Sequence, residues 1–139
     1  MRSIRRVGAM VLLSAGHLAC GPAVSDHDNR IFATPASIKL SAADLSTAYG
    51  SDPGEADRRY RGHVLEVAGV IEKVHPGGGF LLLVGGEKGP VVEASLHEDV
   101  AAELLKTFAD DQRVTIKCFC EGLDTLVRLK SCVTPDPGR

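Results

Sequence analysis

From residue 63 onward, apolar and polar positions alternate with a period of two, broken by turns. Leu65, Val67 and Ile71 alternate with Glu66, Ala68, Val70 and Glu72, the pattern of a strand with one buried face. Gly69 interrupts this strand midway, where a strand in a small barrel must bend. His75-Pro76-Gly77-Gly78-Gly79 makes a turn. Phe80 to Val84 is apolar on both faces. One face fills a core, and the other needs a cover from helices or a ligand. Gly85 to Pro90 is a hairpin loop, and Val91 to Leu96 is a third strand with Val92, Ala94 and Leu96 on one side. Then the period changes. Val100, Leu104 and Phe108 recur every four residues, with Ala101 and Leu105 beside them, so 98–109 is a helix. Glu98 and Asp99 suit its positive end. Val114, Ile116, Cys118 and Cys120 alternate with Thr115, Lys117 and Phe119 in a fourth strand. A turn over 122–125 leads to the fifth, Leu126 to Val133.

The stretch before the strands reads as helical. Ser41-Ala42-Ala43-Asp44 resembles a capping box, and Leu45, Ala48 and Tyr49 share one face. Gly50 and Pro53 end that helix. Asp52, Pro53 and Glu55 start a second, short one reaching about Tyr60. Ala56 and Tyr60 pack on the sheet, while Asp57, Arg58 and Arg59 form a solvated face. Three strands, a helix and two strands make the order of an OB-fold, a five-stranded Greek-key barrel. The fold class is mainly β, with the barrel domain over 41–134, preceded by its own helices, and a frayed tail over 135–139.

The first residues have a different character. Arg2, Arg5 and Arg6 precede an apolar run from Val7 to Ala15, then small residues and Cys20. A positive flank, a short apolar core and small residues at its exit make a signal peptide over 1–19. The run is well short of the roughly 20 apolar residues that span a bilayer. Leu18-Ala19-Cys20 resembles the bacterial lipoprotein signal, which implies that Cys20 is lipidated and begins the mature chain. That pattern places Leu three residues before the Cys, where this chain has His17. Ordinary cleavage after Ala19 is the rival reading. Gly21 after the Cys implies, by the same resemblance, the outer membrane of a Gram-negative cell. Residues 20–40 lack apolar periodicity and read as a flexible tether, with His27 a solvated side chain.

Composition narrows the function. The chain has 139 residues, 44% hydrophobic and 24% charged, enough for one domain after the leader. Losing Arg2, Arg5 and Arg6 takes the formal net charge from −2 to −5. An acidic protein is poorly suited to phosphate backbones, whose binding rests on Lys and Arg. Aromatics are 4% and there is no Trp, so base-stacking platforms are few. His63, His75 and His97 have no spacing that sets two on one helix face. The glycines at 77–79 precede a strand, and no phosphate loop is present. Ser95 and Ser131 lack a paired His and acid. No enzyme, no cofactor and no metal is expected.

The four cysteines are Cys20, Cys118, Cys120 and Cys132. Export implies an oxidising compartment. Cys118 and Cys120, two apart on one strand, do not readily bond each other, so one of them is expected to pair with Cys132; three reduced core thiols are the alternative. A zinc site built from these cysteines and a His has no recognised spacing.

Ser41-Ala42-Ala43-Asp44-Leu45 with Tyr49, Ala56 with Tyr60-Arg61-Gly62, Val67 to Ile71, Val114 to Gly122, and Leu129 with Cys132 together resemble the tRNA-anticodon-like OB-fold family of small exported bacterial proteins. The resemblance covers about ninety residues in a scattered pattern without a catalytic motif. The family usually has Gly where Cys118 stands, and often Cys where Ala94 stands. The resemblance implies a Cys120–Cys132 disulfide. It also suggests single-stranded nucleic-acid binding, by analogy of fold. The candidate binding face is Lys73, His75, Lys117, Phe119, Arg128 and Lys130. Leader, anchor and long tether favour another function: an envelope binding module for a protein, peptide or glycan, held at the membrane by lipid. A lipid-anchored structural or stress protein without a small ligand is a third reading.

Overall fold

The computed structural model describes residues 27–135. The signal over 1–19, the lipidation site Cys20, the first part of the tether and residues 136–139 of the tail lie outside the described residues. The elements are β1 (Ile38–Ser41), α1 (Ala42–Ser51), α2 (Pro53–Tyr60), β2 (Val64–His75), β3 (Phe80–Leu83), β4 (Val92–Leu96), α3 (Glu98–Thr107), β5 (Arg113–Asp124) and β6 (Leu126–Val133). Strands β2, β3, β4, β6 and β5 neighbour one another in that order, and β2 pairs with β5 to close the ring. Strands β4 and β6 run parallel; the other barrel neighbours are antiparallel. This is the OB-fold that the element order predicts.

Barrel closure rests on β2. Its first half, Val64 to Val70, pairs with β5, and Ile71 to His75 pairs with β3. The alternating residues face inward as their spacing requires: Leu65, Val67, Ile71, Val92, Ala94, Leu96, Ile116 and Leu129 form one buried cluster. Burying each Leu or Ile contributes roughly 1.5–3 kcal/mol before the entropy cost. Gly69 has a second role besides the bend. A Cβ there would stand 2.9 Å from the Ala42 Cβ, so the bare backbone lets the start of α1 press against the strand.

Both lead-in helices start where the sequence places them. Ser41 Oγ accepts from the Asp44 N–H at 3.0 Å, and Asp52 Oδ1 accepts from the Glu55 N–H at 3.1 Å. Leu45 and Tyr49 are buried in the barrel cluster with Leu81 and Leu83, the inward residues of β3. The loop after β3 also rests on α1: Ser46 Oγ donates to the Pro90 carbonyl, and a Cβ on Gly89 would collide with that same hydroxyl. The outer face of β3 is not fully covered. Leu82 is half-buried and Val84 just beyond the strand is 46% exposed. Helix α3 lays Ala101, Leu104, Leu105 and Phe108 on the main cluster.

Two expectations are corrected. The tether was read over 20–40, but from residue 27 the chain is built into the domain. Asn29–Phe32 forms a 3-10 turn that buries Ile31 against Val64, Phe119 and Val133. Ile38–Ser41 then adds to β2 as a parallel strand. One turn and a four-residue strand are too short to show a period, and the anchoring falls mainly on one side chain.

The disulfide joins Cys118, not Cys120, to Cys132, with Cα atoms 4.3 Å apart. Register is the reason. Lys117 faces Val133 and Phe119 faces Lys130, with a bulge between them. Cys118 therefore lies directly across from Cys132 with both side chains inward, while Cys120 faces Leu129. A cross-link spanning 14 residues stabilises by about 3 kcal/mol in the chain-entropy model. Non-reducing peptide mapping is expected to return a Cys118–Cys132 fragment, and Cys118→Ser to lower stability by about that amount. A Cys120–Cys132 fragment would refute the register.

Candidate functional site

Polar clusters and open grooves lie in and around the barrel, and the side chains that build them come from different parts of the chain. The first is the seam where the N-terminal turn meets the barrel. Asp28 caps the turn, accepting from the Arg30 N–H at 2.9 Å and pairing with the Arg30 guanidinium. The Asp28 N–H donates to Ser131 Oγ on β6 at 2.6 Å. His97 is fully buried. Its Nδ1 accepts from the Asp99 N–H at 3.1 Å, capping α3. The other ring nitrogen, Nε2, then carries the proton and donates to Asn29 Oδ1 at 2.8 Å. His27, expected to be solvated, instead accepts from the Glu98 N–H through Nδ1 at 3.2 Å. Histidine, a residue type open to catalysis or metal binding, is here a clasp between the turn and α3.

The second is a buried knot joining α1, α2 and β5. The Tyr49 hydroxyl donates to Asp57 Oδ1 at 2.9 Å and lies 3.5 Å from Cys120 Sγ. Burial pushes the Tyr49 hydroxyl far above the usual phenol range, with further rises from Cys120 and Asp57. Burial also pushes the Cys120 thiol up, partly offset by its contact with Tyr49. A thiol held protonated is a weak nucleophile. Cys120 thus serves packing and hydrogen bonding in place of the disulfide expected of it. Asp57, read as part of a solvated face, is the helix residue that holds the knot.

The candidate binding face does not come together as one surface. Lys73 pairs with Asp110 at 3.6 Å, and His75 stacks on Phe80 with ring centroids 4.6 Å apart; both lie at the end of β2. Arg128 pairs with Glu93 at 2.9 Å and with Asp124 at 3.5 Å. Lys130 pairs with Glu121 at 3.3 Å. Lys117 and Phe119 point outward from β5 yet are buried. Phe119 packs against Ile31, and the Arg30 guanidinium lies over its ring at 5.5 Å. The segment read as tether covers the aromatic that was expected to bind. Alternation along β5 marks Phe119 as outward, but no local signal shows what lies on top of it.

Two grooves remain. One, of about 380 Å³, runs beside the N-terminal turn and is lined by Asp28, Arg30, Arg61, Phe119, Glu121 and Lys130 among others. Its cations are all engaged: Arg30 with Asp28, Arg61 with Asp57 at 3.7 Å and Lys130 with Glu121. The other, of about 470 Å³, crosses β2 and β5 beside the start of α1. Ala68, Val70 and Val84 give it an apolar floor, and Ser41, Thr115 and Arg113 supply its polar edge. Arg113 is exposed and has no carboxylate partner among the described residues. None of the six candidate face residues lines this groove. The expectation that the outer face of β3 needs a cover is the nearest signal to it in the sequence.

Neither surface gathers a metal-binding set: among the described residues no group of three or more His, Cys, Asp or Glu side chains is placed to hold an ion.

The Asp28–Arg30 pair gives a pH prediction. Its hydrogen bonds from Arg30, side chain first and backbone second, lower the Asp28 carboxyl from 3.8 to about 2. A depressed carboxyl adds stability that is present above its unfolded value and lost as pH falls through its folded one. Docking of the turn is therefore expected to weaken as pH falls from about 4 towards 2. In an NMR titration Arg30→Gln should return the Asp28 midpoint towards its ordinary value. An unchanged midpoint in that variant would show that Arg30 is not the cause.

The tRNA_anti-like family model matches residues 7–133. No curated protein and no solved structure matches the chain. The match takes in every described strand and helix, and the chain belongs to the tRNA_anti-like family.

Proposed function

We propose that this protein is an exported OB-fold binding module of a bacterial cell envelope, lipid-anchored through Cys20, which takes a protein, peptide or glycan partner. The observation that carries the reading is the Cys118–Cys132 disulfide across the barrel wall, a cross-link suited to an oxidising compartment. The Arg-flanked apolar leader ending at Cys20 supports it independently. The anchor would hold the barrel close to the membrane. Only six residues lie between Cys20 and His27, which is already docked on α3. Fully extended, that stretch spans at most about 25 Å. The long tether suggested by the sequence becomes a short one.

Binding is favoured over catalysis by what the reactive side-chain types are doing. His97 caps a helix and holds Asn29. Cys120 is buried with its thiol pushed up. Binding of single-stranded nucleic acid is the alternative that the family name suggests. It is disfavoured because Lys73, Arg128 and Lys130 are each paired with an acid and Phe119 is covered.

In cell fractionation, wild type should travel with membranes and Cys20→Ser should be released. Mass spectrometry should find lipid on the mature N-terminus. An unmodified terminus, or a mutant that stays with membranes, would refute the anchor. Filter binding of labelled single strands at low and moderate salt should give no retention above background. Salt-sensitive retention would favour the nucleic-acid reading.

A further inference from the structure

We propose that the groove across β2 and β5 binds the C-terminal end of a partner peptide, an apolar last residue lying on Val70 and Val84 and its carboxylate on Arg113. This names a ligand for the binding module proposed above and rests on that reading. The argument begins with charge. Lys73, Arg128 and Lys130 are each held by an acid, whereas Arg59, Lys88, Arg113 and Lys117 form no ion pair among the described residues. Of these four, Arg113 is the one that lines the groove, at the edge of its apolar floor. A guanidinium presents a planar pair of donors that matches a carboxylate. An unpaired one beside exposed apolar surface complements a ligand that is apolar at one end and anionic at the other.

The shape of the groove selects a peptide among such ligands. At about 470 Å³ the volume suits two or three residues. Val84 is 46% exposed, so the groove lies open along one side. Pockets for free small molecules enclose most of their ligand. An extended peptide end needs only a floor, a carboxylate partner and groups for its amides. The Ser41 and Thr115 hydroxyls line the same groove and can serve the last purpose. The two glycines in the lining do not argue for a ligand. Gly69 is explained by the approach of Ala42, and Gly85 by the Pro90 carbonyl and Ser46.

Fluorescein-labelled pentapeptides ending in free Val, Leu or Phe, titrated into the mature protein by fluorescence polarisation, test this directly. At least one free acid should bind, and its C-terminal amide should bind roughly tenfold more weakly. Arg113→Gln should cause a similar loss, and Val84→Asp a greater one, both with an unchanged melting temperature because the two side chains are exposed. Lys88→Gln should behave as wild type. Equal binding of acid and amide, full binding by the Arg113 variant, or no binding by any of these peptides would overturn the proposal. Displacement by octanoate with the same dependence on Arg113 would overturn the peptide assignment in favour of a free amphiphile. A failed titration alongside membrane-bound, lipid-modified protein would reject this ligand and leave the envelope module standing.

Discussion

One strand carries the closure of the barrel. β2 gives its first half to β5 on one side and β1 on the other, and its second half to β3. A flat strand does not serve partners in such different directions, so β2 must coil. Gly69 stands where the change of partner occurs, and its missing side chain also admits Ala42. The strand's bend, the seating of α1 and the groove beside Arg113 therefore share one origin. A side chain at position 69 would disturb all three.

The second constraint is the cover on the outside of the barrel. Small barrels have few inward positions, and the N-terminal turn adds a separate cluster of Ile31, Val64, Phe119 and Val133 beyond the main core. That cluster is held by polar contacts at its rim: His97 to Asn29, Ser131 to Asp28 and Glu98 to His27. Two of them satisfy polar side chains of the buried His97 and Ser131. The same turn takes Phe119 away from solvent. Fold and function thus compete for one face of β5, and packing wins there. The groove on the far part of β2 and β5 has no such cover among the described residues.

The Tyr49, Asp57 and Cys120 knot shows why a polar residue can be structural. Three elements meet at one buried hydroxyl, which donates a hydrogen bond to Asp57 and contacts the thiol. A Tyr is well suited there, because its ring fills the core while its hydroxyl needs a partner. The lead-in helices are tied to the barrel through this contact as well as through Leu45.

Periodicity alone determined most of the architecture. Alternation at Leu65, Val67 and Ile71 and from Val114 to Cys120 set the inward faces, and the Ser41 and Asp52 caps set the helix starts. These are local effects, decided by side-chain spacing and by backbone donors a few residues away. The tertiary structure decided what depends on register and on chain segments far apart. Which cysteine meets Cys132 was fixed by a bulge near Ser131 that no local pattern marks. Which outward residues stay in water was fixed by a turn nearly ninety residues upstream of Phe119. Which cations are left without an acid, Arg113 among them, was fixed by where the other charges land. Burial and pairing are properties of neighbours in space, and a sequence orders neighbours only along the chain.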